Sequence, residues 1–417
     1  MSKATLSRRK EPRLRRNQAR VAAVAAATVA AAVAITTPAA AATTSPTAAA
    51  STHAAPAPYP IDGGVEDGTF RTTCLSNTTT PQTAPSTAVL DAVAWRKGIK
   101  ARVVRIMVPW NIAIQSNPAD AKCLSKYLQA ARHKATVEIS LNRQSATRIS
   151  APSVRDYQHA INALAKLTKG GSLIGYLTAY NEPDNPNYLK AADPASASGR
   201  YYQIANANKA FHGKVVAGDF AEPVTEGFFH RYIEALGNAH PSIWAIHPYT
   251  DITNFQYFMH DPKTHRTARQ AAQAELNYTN SYVVQFATLL KNNGYGSARI
   301  WLNEIYVTHR ADRNPPSGVP GSKGRYNKKT HKWSGTTFSQ VNQGYAGLFL
   351  DGGLGNDSLP GYLAAHGLPH LTRYVYMRAD TNSLPEAYVL IVGQRGCLWT
   401  TLHSTSDKPA AQCSQAS

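Results

Sequence analysis

Short runs of β-branched and apolar residues recur along the chain from Gly68 onward, separated by longer segments whose apolar residues fall at helical spacing. The runs are Thr69–Leu75, Val103–Val108, Thr136–Leu141, Leu173–Ala179, Lys214–Gly218, Ser242–Ile246, Ala298–Asn303 and Thr372–Met377. Between them lie the amphipathic stretches Ala88–Lys97, Val154–Leu167, Arg200–Ala210, Glu226–Leu236, Thr267–Lys291 and Phe338–Leu350. Alternation of this kind signals repeated βα units, because parallel strands need a crossover long enough to hold a helix. Eight strands with intervening helices predict an α/β protein whose sheet closes into a (β/α)8 TIM barrel, and Ile61 to Ser417 is long enough to build it as one domain. An open, doubly wound sheet is the alternative. No Gly-rich phosphate turn follows the first strand, as a dinucleotide fold would require.

The N-terminus changes the meaning of the composition. The chain has 44 Lys+Arg against 25 Asp+Glu, a formal net charge of +19, but eight of the basic residues and one acidic residue fall in the first 20 positions. A basic region with Arg8, Arg9, Arg13, Arg15, Arg16 and Arg20 leads into an apolar run from Val21 to Ile35 and then to Ala40, Ala41 and Ala42. This order predicts an export signal over residues 1–42. The apolar run is too short and too rich in Ala to anchor the chain in a bilayer, which needs about 20 strongly apolar residues. Arg8 and Arg9 hint at the twin-arginine route, with Sec export equally compatible. Residues 43–60, rich in Ala, Pro, Ser and Thr, predict a disordered linker, and residues 61–417 a single barrel domain. A secreted monomer without nucleic-acid partners and without stable membrane association after cleavage follows from this reading.

Cys74, Cys123, Cys397 and Cys413 form an even set in an exported chain, which favours disulfides over free thiols. Three pairings are open, with Cys74–Cys123 and Cys397–Cys413 preferred. No C-x-x-C or H-E-x-x-H supports zinc, so neither metal nor cofactor is expected.

Chemistry in a TIM barrel collects at the C-terminal ends of the strands. Those ends hold Trp110 and Asn111 after strand two, Asn142 after strand three, Asn181 and Glu182 after strand four, and Asp219 after strand five. Strand six ends in His247, Pro248 and Tyr249, and strand seven in Asn303 and Glu304, while Arg105 sits within strand two. Glu182 and Glu304 are the glutamates at strand ends, and strands four and seven face each other across the mouth. Two carboxyl groups are what glycosidic cleavage needs: one protonates the leaving oxygen, and the other attacks the anomeric carbon or activates water. No G-x-S-x-G or phosphate-cradling motif offers a competing engine.

Tyr180-Asn181-Glu182-Pro183 after an apolar strand resembles the Asn-Glu-Pro motif of the clan A glycoside hydrolases, the superfamily of cellulases and β-xylosidases. Ile300-Trp301-Leu302-Asn303-Glu304 resembles that clan's nucleophile strand, His247-Pro248-Tyr249 its His-x-Tyr, and Arg105 the arginine that bonds the nucleophile. The resemblance spans roughly residues 90–380. It implies Glu182 as acid/base, Glu304 as nucleophile, and a secreted enzyme that cleaves β-glycosidic bonds of a polysaccharide or oligosaccharide with retention of configuration. Arg105, Trp110, Asn181, His247, Tyr249 and Tyr376 become substrate-binding candidates, with Trp110, Trp301 and Tyr376 as possible sugar platforms. Two strand ends depart from the clan's pattern: strand three reads Ser140-Leu141-Asn142-Arg143 where His is common, and strand eight Tyr374-Val375-Tyr376-Met377-Arg378 where Trp is common. A noncatalytic carbohydrate-binding or wall-interacting protein on the same barrel is the alternative. The basic, aromatic stretch Lys323 to Trp333 reads as a solvated insertion or as a clamp for an acidic polymer. Sugar, linkage, and endo or exo action stay open.

Overall fold

The computed structural model describes residues 62–66, 74, 103–115, 118–145, 147–260, 264, 266–305, 325–327, 332–334, 349–350 and 354–376, which lie in the compact unit Ala54–Ser417. The strands are β1 (Asp62–Glu66), β2 (Val103–Pro109), β3 (Thr136–Asn142), β4 (Tyr176–Thr178), β5 (Val215–Phe220), β6 (Ile243–Ile246), β7 (Arg299–Ile305), β8 (Arg325–Asn327), β9 (Lys332–Ser334) and β10 (His370–Tyr376). β8 and β9 pair with each other as an antiparallel ribbon. The other eight are all parallel to their neighbours and close into a barrel, β10 pairing with both β7 and β1. The predicted architecture is therefore present.

Around the barrel run α1 (Pro118–Ala131), α2 (Val154–Leu167), α3 (Pro194–Ala207), α4 (Glu226–Leu236), α5 (Tyr249–His260), α6 (Ala268–Glu275), α7 (Tyr282–Asn292) and α8 (Leu359–Ala365). Their starts follow from local chemistry. Ser153, Asp193, Thr225 and Thr267 each accept a hydrogen bond from a backbone N–H of the first turn they precede, satisfying donors that the helix itself leaves unpaired.

Each strand shows two faces with different chemistry. Val104, Ile106 and Val108 of β2, Val137, Ile139 and Leu141 of β3, and Ile300 and Leu302 of β7 join an apolar shell with Leu124 and Leu128 of α1, Ile161 of α2 and Phe229 of α4. Burial of one such side chain stabilises the fold by about 1.5–3 kcal/mol. The alternate residues Arg105, Glu138, Ser140, Thr178 and Asn303 are also buried but bond to one another across the lumen.

Three readings of the sequence need correction. The first barrel strand is Asp62–Glu66, not Thr69–Leu75, and Cys74 is helical. Gly63 and Gly64 weaken the strand signal there, and the position is fixed by Glu66 pairing in register with Arg105. The stretch Thr267–Lys291 is two helices: Asn277 turns the chain by accepting from the N–H groups of Thr279 and Asn280, and Ser281 with Asp251 caps the new start at Tyr282. α1, α5 and α8 went unanticipated. Residues 1–60, the stretch Ala88–Lys97, Cys397 and Cys413 lie outside the described residues. Cys74 and Cys123 form the preferred disulfide, which ties the segment after β1 to α1.

Candidate active site

The site is organised by one guanidinium. Arg105, fully buried on β2, donates from Nη1 to Glu66 at 2.6 Å and to Glu304 at 2.7 Å. From Nη2 it donates to Asn181 at 2.6 Å, Asp219 at 2.8 Å and Ser140 at 3.1 Å. The carboxylate of Glu138 lies 3.8 Å from its Nε. Five other strands or strand ends are thereby pinned to one planar group, whose fork of donors suits several oxygens at once.

The two predicted glutamates meet above it. One Glu182 oxygen, one His247 ring nitrogen and one Glu304 oxygen all lie within 4.8 Å of one another. Glu182 Oε1 sits 2.9 Å from His247 Nδ1, and its Oε2 accepts from Asn185 Nδ2 at 2.8 Å. Glu304 accepts from Arg105 and from the Tyr249 hydroxyl. His247 completes a chain, its Nε2 lying 3.2 Å from Asp219 Oδ1. Glu182 and Asp219 both hold positive φ, 44° and 62°, which is uncommon outside glycine. The Glu182 N–H donates to the Asp219 carbonyl at 2.9 Å, locking the two turns together. Backbone strain held this way marks a position whose geometry matters.

Electrostatics explains how so many acids share the lumen. Burial raises the Glu66 carboxyl to about 8, the nearby charge of Glu304 adding to the effect and Arg105 opposing it. Burial likewise raises Glu138 against the pull of Arg105. Burial also works against charging Asp219, yet Arg105 and His247 outweigh it and hold that carboxyl below its usual range. For His247 burial favours the neutral ring, but the charges of Glu304 and Asp219 win and raise it well above 6.5. The lumen balances charge with protons on buried groups as well as with one arginine.

Glu182, His247 and Glu304 are also a set of atoms that could approach a cation. Both ring nitrogens of His247 are engaged by carboxylates and both oxygens of Glu304 by donors, an arrangement built for handling protons.

Arg105, Asn181, Glu182, His247, Tyr249 and Glu304 are thus brought together. Trp110 stands at the end of β2, its N–H bonded to the Asn142 carbonyl and its ring half-buried against the apolar shell. Tyr376 ends β10, and its side chain lies outside the described residues. Trp301 is not a platform: it is buried on the N-terminal side of the lumen with Val216, Ile243 and Ala245, its Nε1 bonded to Thr372. Arg373 covers one face at 3.8 Å. Asp219, Glu138, Glu66 and Asn185 are site residues that the motifs missed. Asp219 was visible at its strand end but carried no motif that gave it a role; Glu66 and Asn185 offered no comparable signal.

Residues 130–271 match a family model described as glycosyl hydrolase catalytic core. The barrel is similar to solved structures with low identity. A glucosidase from Croceicoccus marinus is 12% identical, with 85% of this chain and 66% of that chain covered and a TM-score of 0.46. A monomeric β-xylosidase from Caulobacter crescentus is 12% identical, over 77% and 61%, with a TM-score of 0.42. A modular endo-β-1,4-mannanase from Cellulomonas fimi is 11% identical, over 84% and 75%, with a TM-score of 0.42. The chain thus spans two thirds or less of the length of the first two. No curated protein matches it in sequence.

Proposed function

We propose that this protein is a secreted, retaining glycoside hydrolase that cleaves β-glycosidic bonds of a polysaccharide or oligosaccharide by double displacement. The observation that carries the reading is the convergence of Glu182 and Glu304, from the ends of β4 and β7, with nearest oxygens within 4.8 Å. Retaining enzymes hold their carboxyl groups about 5 Å apart, whereas inverting ones need about 6.5 Å or more to admit a water.

Glu304 is the nucleophile. Its oxygens are fixed by Arg105 and Tyr249, so attack on the anomeric carbon needs no side-chain reorganisation. Glu182 is the acid/base. His247 Nδ1 lies 2.9 Å from Glu182 and its Nε2 3.2 Å from Asp219, so the ring is placed to exchange a proton with the acid/base. In the first step the Glu182 proton passes to the leaving oxygen as the Glu304 carboxylate bonds to carbon. In the second, Glu182 takes a proton from water, which displaces Glu304. Asn181 offers Nδ2, buried and without a partner among the described residues, to a sugar hydroxyl while its Oδ1 rests on Arg105. Trp110 and Tyr376 are proposed to line the sugar path.

Export rests on the basic and apolar leader over residues 1–42, a 43–60 linker and the Cys74–Cys123 disulfide. Among the described residues no helix is long and apolar enough to cross a membrane.

The test is hydrolysis of neutral aryl β-glycosides and β-linked polysaccharides by the wild type, Glu182→Gln and Glu304→Gln, with proton NMR of the first anomer released. Turnover that collapses in both variants with a β-anomer formed first supports the reading. An α-anomer formed first removes Glu304 as nucleophile, and a wild type that binds without cleaving favours the noncatalytic alternative.

A further inference from the structure

The loop that follows Glu182 is organised by Asn185. Its Nδ2 donates to Glu182, its Oδ1 accepts from the Asn187 N–H at 3.0 Å, and its carbonyl accepts from the Tyr188 N–H at 2.9 Å. The same loop receives Arg143, the residue just beyond the end of β3, whose Nη1 donates to the Asn187 carbonyl at 2.6 Å. The Arg143 guanidinium lies over the Tyr188 ring, 4.6 Å from its centroid. A chain of contacts therefore runs from Glu182 through Asn185 to a stacked, tethered arginine.

Two features of Arg143 call for a ligand. Arg105 pairs with four carboxylates, Arg231 with Asp193 and Arg269 with Asp357, while Arg266 stacks on Phe258 and Arg132 bonds His133. Arg143 pairs with none among the described residues, and its Nε and Nη2 have no hydrogen-bond partner there. Held flat by Tyr188 and anchored through Nη1, it presents a side-on fork of two N–H donors whose spacing matches a carboxylate. Tyr188 stands close enough to the centre that Glu182, Glu304 and Glu66 all disfavour its ionisation, after burial itself. The group beside the acid/base is the leaving group, and Arg143 is tied to the loop that carries Glu182, which assigns the fork to that side of the cleaved bond.

Resting on the glycosidase reading, we propose that Arg143, stacked on Tyr188 and tied through Asn185 to Glu182, binds a carboxylate on the leaving-group side, so that the natural substrate is a uronate-bearing glycan. Without the leader, 36 basic residues (44 − 8) face 24 acidic ones (25 − 1), and this net charge of +12 attracts such polymers over longer range. The direct contact at Arg143 decides which sugar residue is held.

The experiment is calorimetric binding of paired β-linked glucan, xylan and mannan oligosaccharides, each with and without a uronic acid on the reducing-end side. The wild type should bind the acidic member of one pair roughly tenfold tighter at low salt, the size expected of a charge-assisted hydrogen bond. That ratio should shrink with added salt. Arg143→Met should bring it to about one, and Arg143→Lys, which keeps the charge and loses the fork, should leave an intermediate, salt-sensitive ratio. Tyr188→Ala, which removes the stack and leaves the charge, should also lower it. Equal affinity within every pair, absence of binding included, overturns the assignment, as does an undiminished ratio in Arg143→Met. Wild-type turnover of neutral aryl β-glycosides, whose leaving group carries no carboxylate, tests the glycosidase reading separately.

Discussion

The lumen of the barrel and the shell between strands and helices are built from the same strands, yet they obey opposite rules. On β2, Val104, Ile106 and Val108 face the shell, where contacts are apolar and interchangeable in kind, while Arg105 between them faces the lumen and touches Glu66, Glu138, Asp219 and Glu304. The shell gains stability from area removed from water. The lumen gives up that gain, since buried charges of this density are no better for stability than apolar packing. Its return is geometry: every polar group is aimed by another. The contrast teaches that damage to the shell should cost stability, and damage to the lumen should cost function first.

Five substitutions or conditions sharpen this comparison. Glu304→Gln should lower kcat by roughly 10⁴-fold or more, the scale seen when a covalent nucleophile is removed, with little change in unfolding midpoint; steady-state kinetics beside urea melts would show it. Arg105→Met leaves several acids without their common partner and should cost about 3–5 kcal/mol in addition to activity, read by the same pair of measurements. A loss of activity with full stability would break the claim that the network is held by that residue.

In the shell, Ile106→Ala should cost about 2–5 kcal/mol while kcat measured well below the melting point stays near the wild-type value. A fall in kcat as large as that of Glu304→Gln would erase the distinction between the two faces. The fourth is a pH dependence. Burial raises Glu66 to about 8, Asp251 to about 7 and Glu275 to about 9. Unfolded, these carboxyls titrate near pH 4, so between there and their raised values the folded state holds protons that the unfolded chain releases. Their contribution to stability is therefore complete below about pH 4 and is lost as pH rises through 7 to 9. Urea midpoints at pH 5, 7 and 9 should fall in that order, and Glu275→Gln should flatten the upper part of the trend. The smallest effect belongs to a helix end: Ser153→Ala removes the acceptor for the Asp156 N–H and should cost about 1 kcal/mol, seen as a small shift in thermal midpoint without loss of activity.

How much of this was legible in the sequence depended on whether the signal was local. Seven of the barrel strands could be placed within a few residues because runs such as Val103–Val108 are continuous, as both strand faces are buried. β1 was misplaced because Asp62-Gly63-Gly64 carries little β signal and its position is decided by Glu66 meeting Arg105 across 39 residues. Glu182 and Glu304 were legible because strand ends are where a barrel does chemistry. Trp301 misled, since an aromatic on a strand looks the same in sequence whether it points to the mouth or the far end of the lumen. Asn185 was hidden for a related reason: an asparagine in a turn is commonplace, and only the fold shows its amide on Glu182.

The sequence by itself determined the alternation of strands and helices, the even set of cysteines and the order in which the acids, the arginine and the His-Pro-Tyr run reach the strand ends. Those are properties of neighbours along the chain, set by side-chain periodicity and capping. Tertiary structure alone decided that one guanidinium would serve four carboxylates, that His247 would bridge Glu182 and Asp219, and that Arg143 would lie on Tyr188 with its fork unpaired among the described residues. Barrel closure is the physical reason. It brings residues from 28 to 199 positions apart within hydrogen-bond distance, so that buried polar groups are aimed by one another.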